Sequence, residues 1–496
     1  MTSASASEQE AAKHQKIVLL IWLYFWLLIF EGALRKWIFP SFSAPLLIVR
    51  DPIVVLIYLV AIAEGIFPVN LFFAPIAGLA LVSFLAALTV FDNLGVIVYG
   101  LRTNFLHLPL IFVMQKALRR DDVSRFGRCI LALAIPMTLL VLWQFASPPG
   151  SWINAAAGGE LGGQMLASGT RIRPAGLFSF VSGMVSFLSA VAAFLLGALV
   201  DQGSIPRWLC LLGIPCLIVS LAISGSRSAT ANVVIIVIAV SVICIVQFSR
   251  VRAMIVPAIL TLFGFLVLSH LPLLREGVEV NAQRFSAGGG VEHGIVQRYF
   301  GELGESIDTA AVTPLLGHGL GIGTNAGAAL LTGSRSFLLG EGEWSRVIGE
   351  SGPIIGYGYI LLRLAIAGYL IAQAWRALGR GDGTPILLVA AALVDIVSGQ
   401  FGQPSILGFA VFTSGIALAS CNLPAPQTST EPSDPLNAPF QTRARGTVPE
   451  PLKRRIRGRS PIAAAIINSQ RNQTGPAAGS SIEREAKPEA PQQPEQ

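Results

Sequence analysis

Arg227 sits in Ser224-Gly225-Ser226-Arg227-Ser228, a polar knot between two long apolar runs, Trp208 to Ile223 and Thr230 to Val246. A guanidinium cannot shed its charge, and holding one near a bilayer costs free energy. An anionic partner inside the protein, or an anionic ligand, would offset that cost. A second pair of arginines stands in Thr170-Arg171-Ile172-Arg173-Pro174, just before another apolar run. Arginine forks match phosphate oxygens two at a time, so this pair can hold a phosphate at a membrane interface. The plain alternative is flanking charge that only sets topology.

A long polar segment after Leu271 adds Arg275, Arg284, His293, Arg298, His318, Glu341, Glu343, Arg346 and Glu350. Its middle, Pro314-Leu-Leu-Gly-His-Gly-Leu-Gly-Ile-Gly-Thr-Asn325, is rich in glycine. Glycines allow tight turns and leave backbone N–H groups open to anions. No Gly-Lys-Ser/Thr follows, so this is not a nucleotide-binding P-loop, and a turn-forming loop is the simpler alternative. The stretch Ile295 to Thr309 is expected to form an amphipathic helix at the membrane surface, with Arg298 on it.

The elements that must position these residues are membrane helices. The chain has 496 residues, 53% hydrophobic and 13% charged, and its mean hydropathy is +0.65. Soluble domains carry about 25% charged residues. A net charge of +7 would suit nucleic acid, but the basic residues gather in loops and the tail, as topology requires. Nucleic acid is therefore not an expected partner. Five cysteines, Cys129, Cys210, Cys216, Cys244 and Cys421, fall in or beside apolar runs, so no disulfide framework or metal cluster is expected.

About 20 apolar residues cross the hydrocarbon core. Twelve such runs lie near 17–34, 48–66, 70–90, 94–117, 127–146, 175–200, 207–223, 229–248, 253–271, 347–375, 384–400 and 404–421. The expected fold is all-α, a polytopic transmembrane bundle of about twelve helices with a large outer loop between helices 9 and 10. Lys116, Arg119, Arg120, Arg125 and Arg128 in one loop, with Arg207, Arg250, Arg252, Arg376 and Arg380 in others, put both termini in the cytoplasm. Residues 1–16 are then a cytoplasmic tail, and 17–421 form the bundle. The polar segments 147–174 and 272–346 share the outer face with Arg227. The stretch 422–496 holds 12 of the 30 prolines and reads as a disordered cytoplasmic tail. Its basic cluster, Lys453 to Arg459, suits either anionic membrane lipid or plain solvent.

In order along the chain come Arg171-Ile-Arg173-Pro-Ala-Gly-Leu-Phe, Ser224-Gly-Ser-Arg227-Ser-Ala, a long loop with Arg298 and Pro314-Leu-Leu-Gly-His-Gly-Leu-Gly, and Gly349-Glu350-Ser351-Gly352-Pro-Ile-Ile-Gly356. This order resembles the O-antigen ligase and O-antigen polymerase superfamily of bacterial envelope glycan enzymes, over roughly residues 125–420. The resemblance implies a site on the outer face of the bacterial inner membrane, where arginines engage a polyprenyl-diphosphate-linked glycan. It implies transfer to an acceptor with no metal and no cofactor, and inversion at the sugar. By position, Arg173, Arg227, Arg298 and, less securely placed, Arg171 inherit the diphosphate. Ligase members commonly carry a His-Asn pair shortly before the Glu-x-Gly element. Here the segment is Gly340-Glu341-Gly342-Glu343-Trp344-Ser345-Arg346, with no histidine. Glu341 or Glu343 is the substitute base, with His318 and His293 as other candidates. A carboxylate near its ordinary value of about 4.3 is a weak base unless burial raises it.

Other ionisable groups have structural readings. Arg102 and His107 lie inside the fourth run, where they are functional candidates or, for Arg102, a snorkelling side chain. Arg50-Asp51-Pro52 reads as a local ion pair at a helix start. Asp395 is expected to bond a neighbouring helix. Glu350 either faces the positive end of its helix or orients Arg227. Two rival functions remain beside glycan transfer: a polysaccharide flippase, and a non-catalytic partner in envelope polysaccharide assembly. A chain-length regulator or another envelope polysaccharide protein is the expected protein partner.

Overall fold

The structure is a computed structural model that describes residues 2–422, apart from 169–170, 202–204, 288–289, 334–337, 341 and scattered positions within 252–269. Side chains of 2–13, 168, 285, 287 and 290–300 also fall outside the description. The proline-rich tail and most of the expected ninth apolar run therefore lie outside the described residues, and so does Glu341.

The described chain is almost entirely helical. Helix α1 is Thr2–Ala33, so the segment expected as a tail continues the first apolar helix. Then come α2 Asp51–Ala63 and α3 Phe73–Val90. The fourth run is broken into α4 Leu94–Leu101, a wide π turn Arg102–Leu106, and α5 Leu108–Ala117. Pro109 explains the break, because it has no N–H to give and its ring disfavours a regular turn before it. The next helices are α6 Arg120–Ala146, α7 Val181–Val200, α8 Arg207–Ile223 and α9 Arg227–Val246. Between α6 and α7, β1 Leu166–Ser168 pairs antiparallel with β2 Arg171–Ile172. The second polar segment forms α10 Pro272–Ala287, α11 Gly290–Val312 and α12 Asn325–Thr332. The chain then enters α13 Glu343–Gly379, α14 Thr384–Ser398 and α15 Pro404–Cys421.

Among the described residues, nine helical spans are long and apolar enough to cross a membrane, and α8 and α14 are shorter apolar helices. The chain is a multi-pass membrane protein. In α15 and α7, 89% and 83% of the apolar window is buried within the protein, against 22% for α2 and α3. The first pair therefore forms the centre of the bundle and the second faces lipid. Small residues along α15, from Thr413 to Ala419, let α5, α7 and α14 pack closely around it.

Helix α13 is two arms. Gly352 has φ 78° and ψ 166°, which only glycine adopts without strain. In one straight helix, Glu343 and Arg363 would stand about 30 Å apart. Here Glu343 Oε1 accepts a hydrogen bond from Arg363 Nη1 at 2.6 Å. The chain therefore folds back at Gly352, and the short arm 343–351 lies along the long arm 353–379. Gly356 permits this, since a Cβ there would come within 2.8 Å of the Ile348 Cα.

Buried charge closes the hairpin. Glu343 accepts from Arg346 Nε and Nη2, both at 2.9 Å, and from Arg363. Arg346 also donates to Glu350 Oε2 at 2.8 Å and to Asn104 Oδ1 at 2.9 Å. Arg363 spends its other donors on the carbonyls of Asp395, Ile396 and Gly399, at 2.8 to 3.1 Å. These carbonyls lie at the C-terminal end of α14, where a cation is favoured. Arg363 stands about 24 Å along the long arm from Gly379, inside an apolar layer about 30 Å thick. A charge there persists only when paired, and removing one partner of a buried pair costs roughly 3–5 kcal/mol.

A second network ties α1, α2 and the π turn. Glu31 pairs with Arg35 at 3.3 Å and Arg50 at 3.1 Å, and Asp51 pairs with Arg102 at 2.6 Å and His107 at 3.0 Å. The expected Arg50–Asp51 pair is thus replaced by two cross-helix pairs, because neighbouring side chains on a helix point apart. Arg102 and His107 are structural here: both are buried on Asp51 and neither snorkels. Asp395 bonds α7, accepting from Ser186 Oγ at 2.6 Å.

At the far end of the bundle, Asp201 after α7 pairs with Arg250 and accepts from the Thr384 N–H at 2.7 Å. Asp382 lies beside it. Burial, and then the Asp201 carboxylate, push Asp382 up to about 7. An acid raised in the folded state holds its proton after the unfolded chain has lost it, so its stabilising effect fades as pH rises toward 7. Thermal melts in detergent should therefore show a midpoint that falls between pH 5 and pH 8, and Asp382→Asn should flatten that fall.

Candidate functional site

The turn before α9 is built by its own sequence. Gly225 takes φ 55°, which lets α8 end and α9 begin within three residues. The Ser224 hydroxyl accepts the Ser226 N–H at 3.2 Å, and the Ser226 hydroxyl caps α9 by accepting the Ala229 N–H at 3.4 Å. Arg227 is the first residue of α9. A helix N-terminus is already positive, so an arginine there adds to the field instead of cancelling it.

Two further arginines gather at this turn. A Cβ on Gly225 would lie 3.3 Å from the Arg173 Cγ, so the Arg173 stem runs against the turn. The Arg173 N–H donates to the Met165 carbonyl at 2.8 Å, which extends the β1–β2 hairpin and fixes its course. Arg284, near the end of α10, donates through Nη1 to the Ala167 carbonyl of β1 at 3.0 Å. Its Nε is buried and has no hydrogen-bond partner among the described residues. Burial, and then the charge of Arg227, lower its pKa. Neither Arg227 nor Arg284 forms an ion pair among the described residues. Three guanidinium side chains from three segments thus surround one small hairpin, with positive potential in excess.

Arg171 is used differently. Its fork takes both oxygens of Glu276 on α10, at 2.6 and 2.8 Å, and its Nη1 donates to the Phe145 carbonyl at 3.1 Å. That hydrogen-bonded pair raises Arg171 and lowers Glu276. Arg171 therefore clips α10 to the β hairpin and would have to leave Glu276 to reach a phosphate. Arg298 lies on α11, the helix expected over Ile295 to Thr309; its side chain and that of His293 are outside the description.

The two glycine motifs meet. The His318 N–H donates to the Gly349 carbonyl at 2.9 Å, the Gly319 N–H to the Glu350 carbonyl at 3.1 Å, and the Gly323 N–H to Glu350 Oε1 at 3.0 Å. The glycine-rich loop is thus zipped onto the bend of α13, two of its N–H groups on backbone carbonyls and one on the Glu350 carboxylate. Glu350 turns to Arg346 and this loop, not to Arg227. The His318 side chain is exposed. Glu343 accepts three hydrogen bonds from two arginines, which ties it into the ion-pair scaffold. Sequence reasoning missed Arg284 and Glu302. Arg284 had been one charge among many in a polar segment, and only the packing of α10 on the hairpin singles it out. Glu302 on α11 accepts the Trp344 N–H at 3.2 Å and so caps the short arm of α13; burial raises its carboxyl. Nothing in its spacing marks it beyond standing one turn after Arg298. Among the described residues no group of three His, Cys, Asp or Glu side chains is placed to hold a metal.

Inorganic pyrophosphate tests the arginine cluster directly. Arg227→Gln and Arg284→Gln should each weaken its binding by about tenfold or more, the loss of one charge-assisted hydrogen bond. Arg171→Gln should change it little, because that fork is spent on Glu276. Isothermal titration of protein in nanodiscs reads all three.

No known family profile matches the chain, and no curated protein is significantly similar to it.

Proposed function

We propose that the protein transfers or polymerises a polyprenyl-diphosphate-linked glycan at the outer face of the bacterial inner membrane, as a twelve-helix bundle with both termini in the cytoplasm. The observation that carries this reading is the gathering of Arg173, Arg227 and Arg284 at the N-terminus of α9, with no carboxylate paired to the last two among the described residues. A lipid diphosphate supplies the missing negative charge and brings its apolar tail among the helices.

The chemistry follows from charge. The acceptor oxygen bonds to the anomeric carbon as the bond from that carbon to the diphosphate oxygen breaks. The electron pair leaves on the diphosphate, where fixed guanidinium groups stabilise it without a metal. The acceptor's proton goes to a carboxylate. Among Glu341, Glu343, His318 and Glu302, we assign it to Glu302, which stands outside the Arg346 and Arg363 ion pairs and is raised by burial, as a proton acceptor requires. Glu343 and Glu350 hold the scaffold.

Purified protein in nanodiscs, given a polyprenyl-diphosphate oligosaccharide and an acceptor glycan, should join the two with release of polyprenyl diphosphate. Arg227→Ala and Arg173→Ala should each lower the turnover by about 10²–10³-fold, the usual loss for one donor to a developing oxyanion. Transfer at the wild-type rate in both variants would sink the arginine site. Movement of the lipid across the bilayer with no transfer would mark a flippase instead.

A further inference from the structure

A small cavity opens between the short arm of α13, the start of α12 and the turn 399–403. Thr324, Asn325, Glu343, Arg346, Gln400 and Gln403 line it, with glycine backbone between them. It has room for about one water molecule. Its lining is unusual for the interior of an apolar bundle: two amides from one turn, a third from α12, and a carboxylate–guanidinium pair. The Oδ1 of Asn325 is buried without a hydrogen-bond partner among the described residues, and so is the Oγ of Ser345, just behind the cavity-lining Gly340. Buried polar atoms without partners are costly, and the site gains by receiving a group that can donate and accept at once.

The cavity is also tied to the start of α7. Gln403 accepts from the Ser182 hydroxyl at 2.5 Å, and it donates to Gln400. Ser182 stands at the start of α7, the helix that the Arg171-Ile-Arg173 segment enters. On the other side, the Trp344 indole N–H donates to the Val397 carbonyl at 3.1 Å, which fixes a broad apolar ring beside the turn. Amides, one ion pair and a nearby indole are the groups that read sugar hydroxyls and stack on sugar rings.

We infer that this cavity seats one hydroxyl of the transferred glycan and so fixes which sugar is held at the site, an inference that rests on the glycan-transfer reading above. The hydroxyl donates to Asn325 Oδ1 and takes the place that a water molecule would otherwise fill. A sugar lacking that hydroxyl leaves the buried acceptor unpaired, which is how a polar site rejects its deoxy analogue.

Gly402 provides a clean probe. It lines the cavity, and a Cβ there would meet Thr324 at ordinary contact distances of 3.4 to 3.7 Å, so Gly402→Ala narrows the space without forcing the backbone. The experiment titrates full-length protein in nanodiscs with neutral hexose and N-acetylhexosamine trisaccharides, read by saturation-transfer NMR. Wild-type protein should bind at least one of them. Gly402→Ala and Asn325→Ala should each weaken that binding by about tenfold, with thermal midpoint and pyrophosphate affinity unchanged. If no trisaccharide binds, or both variants bind within twofold of wild type, the cavity is an ordered-water site only and the inference fails. Binding that depends on Gly402, in a protein that transfers nothing from polyprenyl diphosphate, would instead overturn the proposed reaction and leave the hydroxyl subsite standing.

Discussion

Two carboxylates and two guanidinium groups inside an apolar layer hold the α13 hairpin and the elements around it together. Glu343, Arg346, Glu350 and Arg363 spend their charge on one another, on Asn104, on the Gly323 N–H and on the open carbonyls of α14. The arrangement exists because Gly352 reverses α13 and brings Glu343 back to Arg363. Without that reversal the short arm would keep one carboxylate in excess of its arginine, and Arg363 on the long arm would lose its counterion. With it, the hairpin anchors the glycine-rich loop, the end of α14 and, through Glu302, the helix that carries Arg298. A set of individually costly groups becomes a rigid platform because each one is paired.

Rigid platforms matter for the charges that are not paired. Arg171 is satisfied by Glu276, and Arg50 and Arg102 by carboxylates across helices. Arg227 and Arg284 stand apart from that pattern. Arg227 starts α9, where the backbone adds more positive potential, and the buried Nε of Arg284, in the last turn of α10, has no hydrogen-bond partner among the described residues. Neither forms an ion pair among the described residues, which is the feature that the proposed anion would answer. An anion that arrives with a lipid tail fits both the charge and the surroundings.

Much of the architecture was legible in the residues. Eleven of the twelve apolar runs overlap described helical spans, of which nine are long and apolar enough to cross a membrane and two, α8 and α14, are shorter. The Arg227 turn was visible as Ser-Gly-Ser between two apolar runs, whereas the fourth run, expected whole over 94–117, is broken before Pro109. The meeting of the two glycine motifs was not legible: the loop's N–H groups read as open to an anion, and three of them bond the bend of α13. What sequence spacing could not reveal was pairing across helices. Arg50 and Asp51 are neighbours in the chain, yet each finds its counterion elsewhere. The pairing of Glu343 with Arg363 is invisible in the sequence, since no helical periodicity predicts a reversal at Gly352. Arg284 carries no local signature; its place depends on how α10 lies across the β hairpin.

The central claim is that Arg227 and Arg284 are reserved for a lipid diphosphate. A structure of the protein in nanodiscs with a bound polyprenyl diphosphate tests it most directly. The account predicts phosphate oxygens within hydrogen-bonding distance of both guanidinium groups, with the Nε of Arg284 now donating and the Arg171–Glu276 pair intact. A diphosphate seated elsewhere, with Arg227 and Arg284 unchanged, would contradict it.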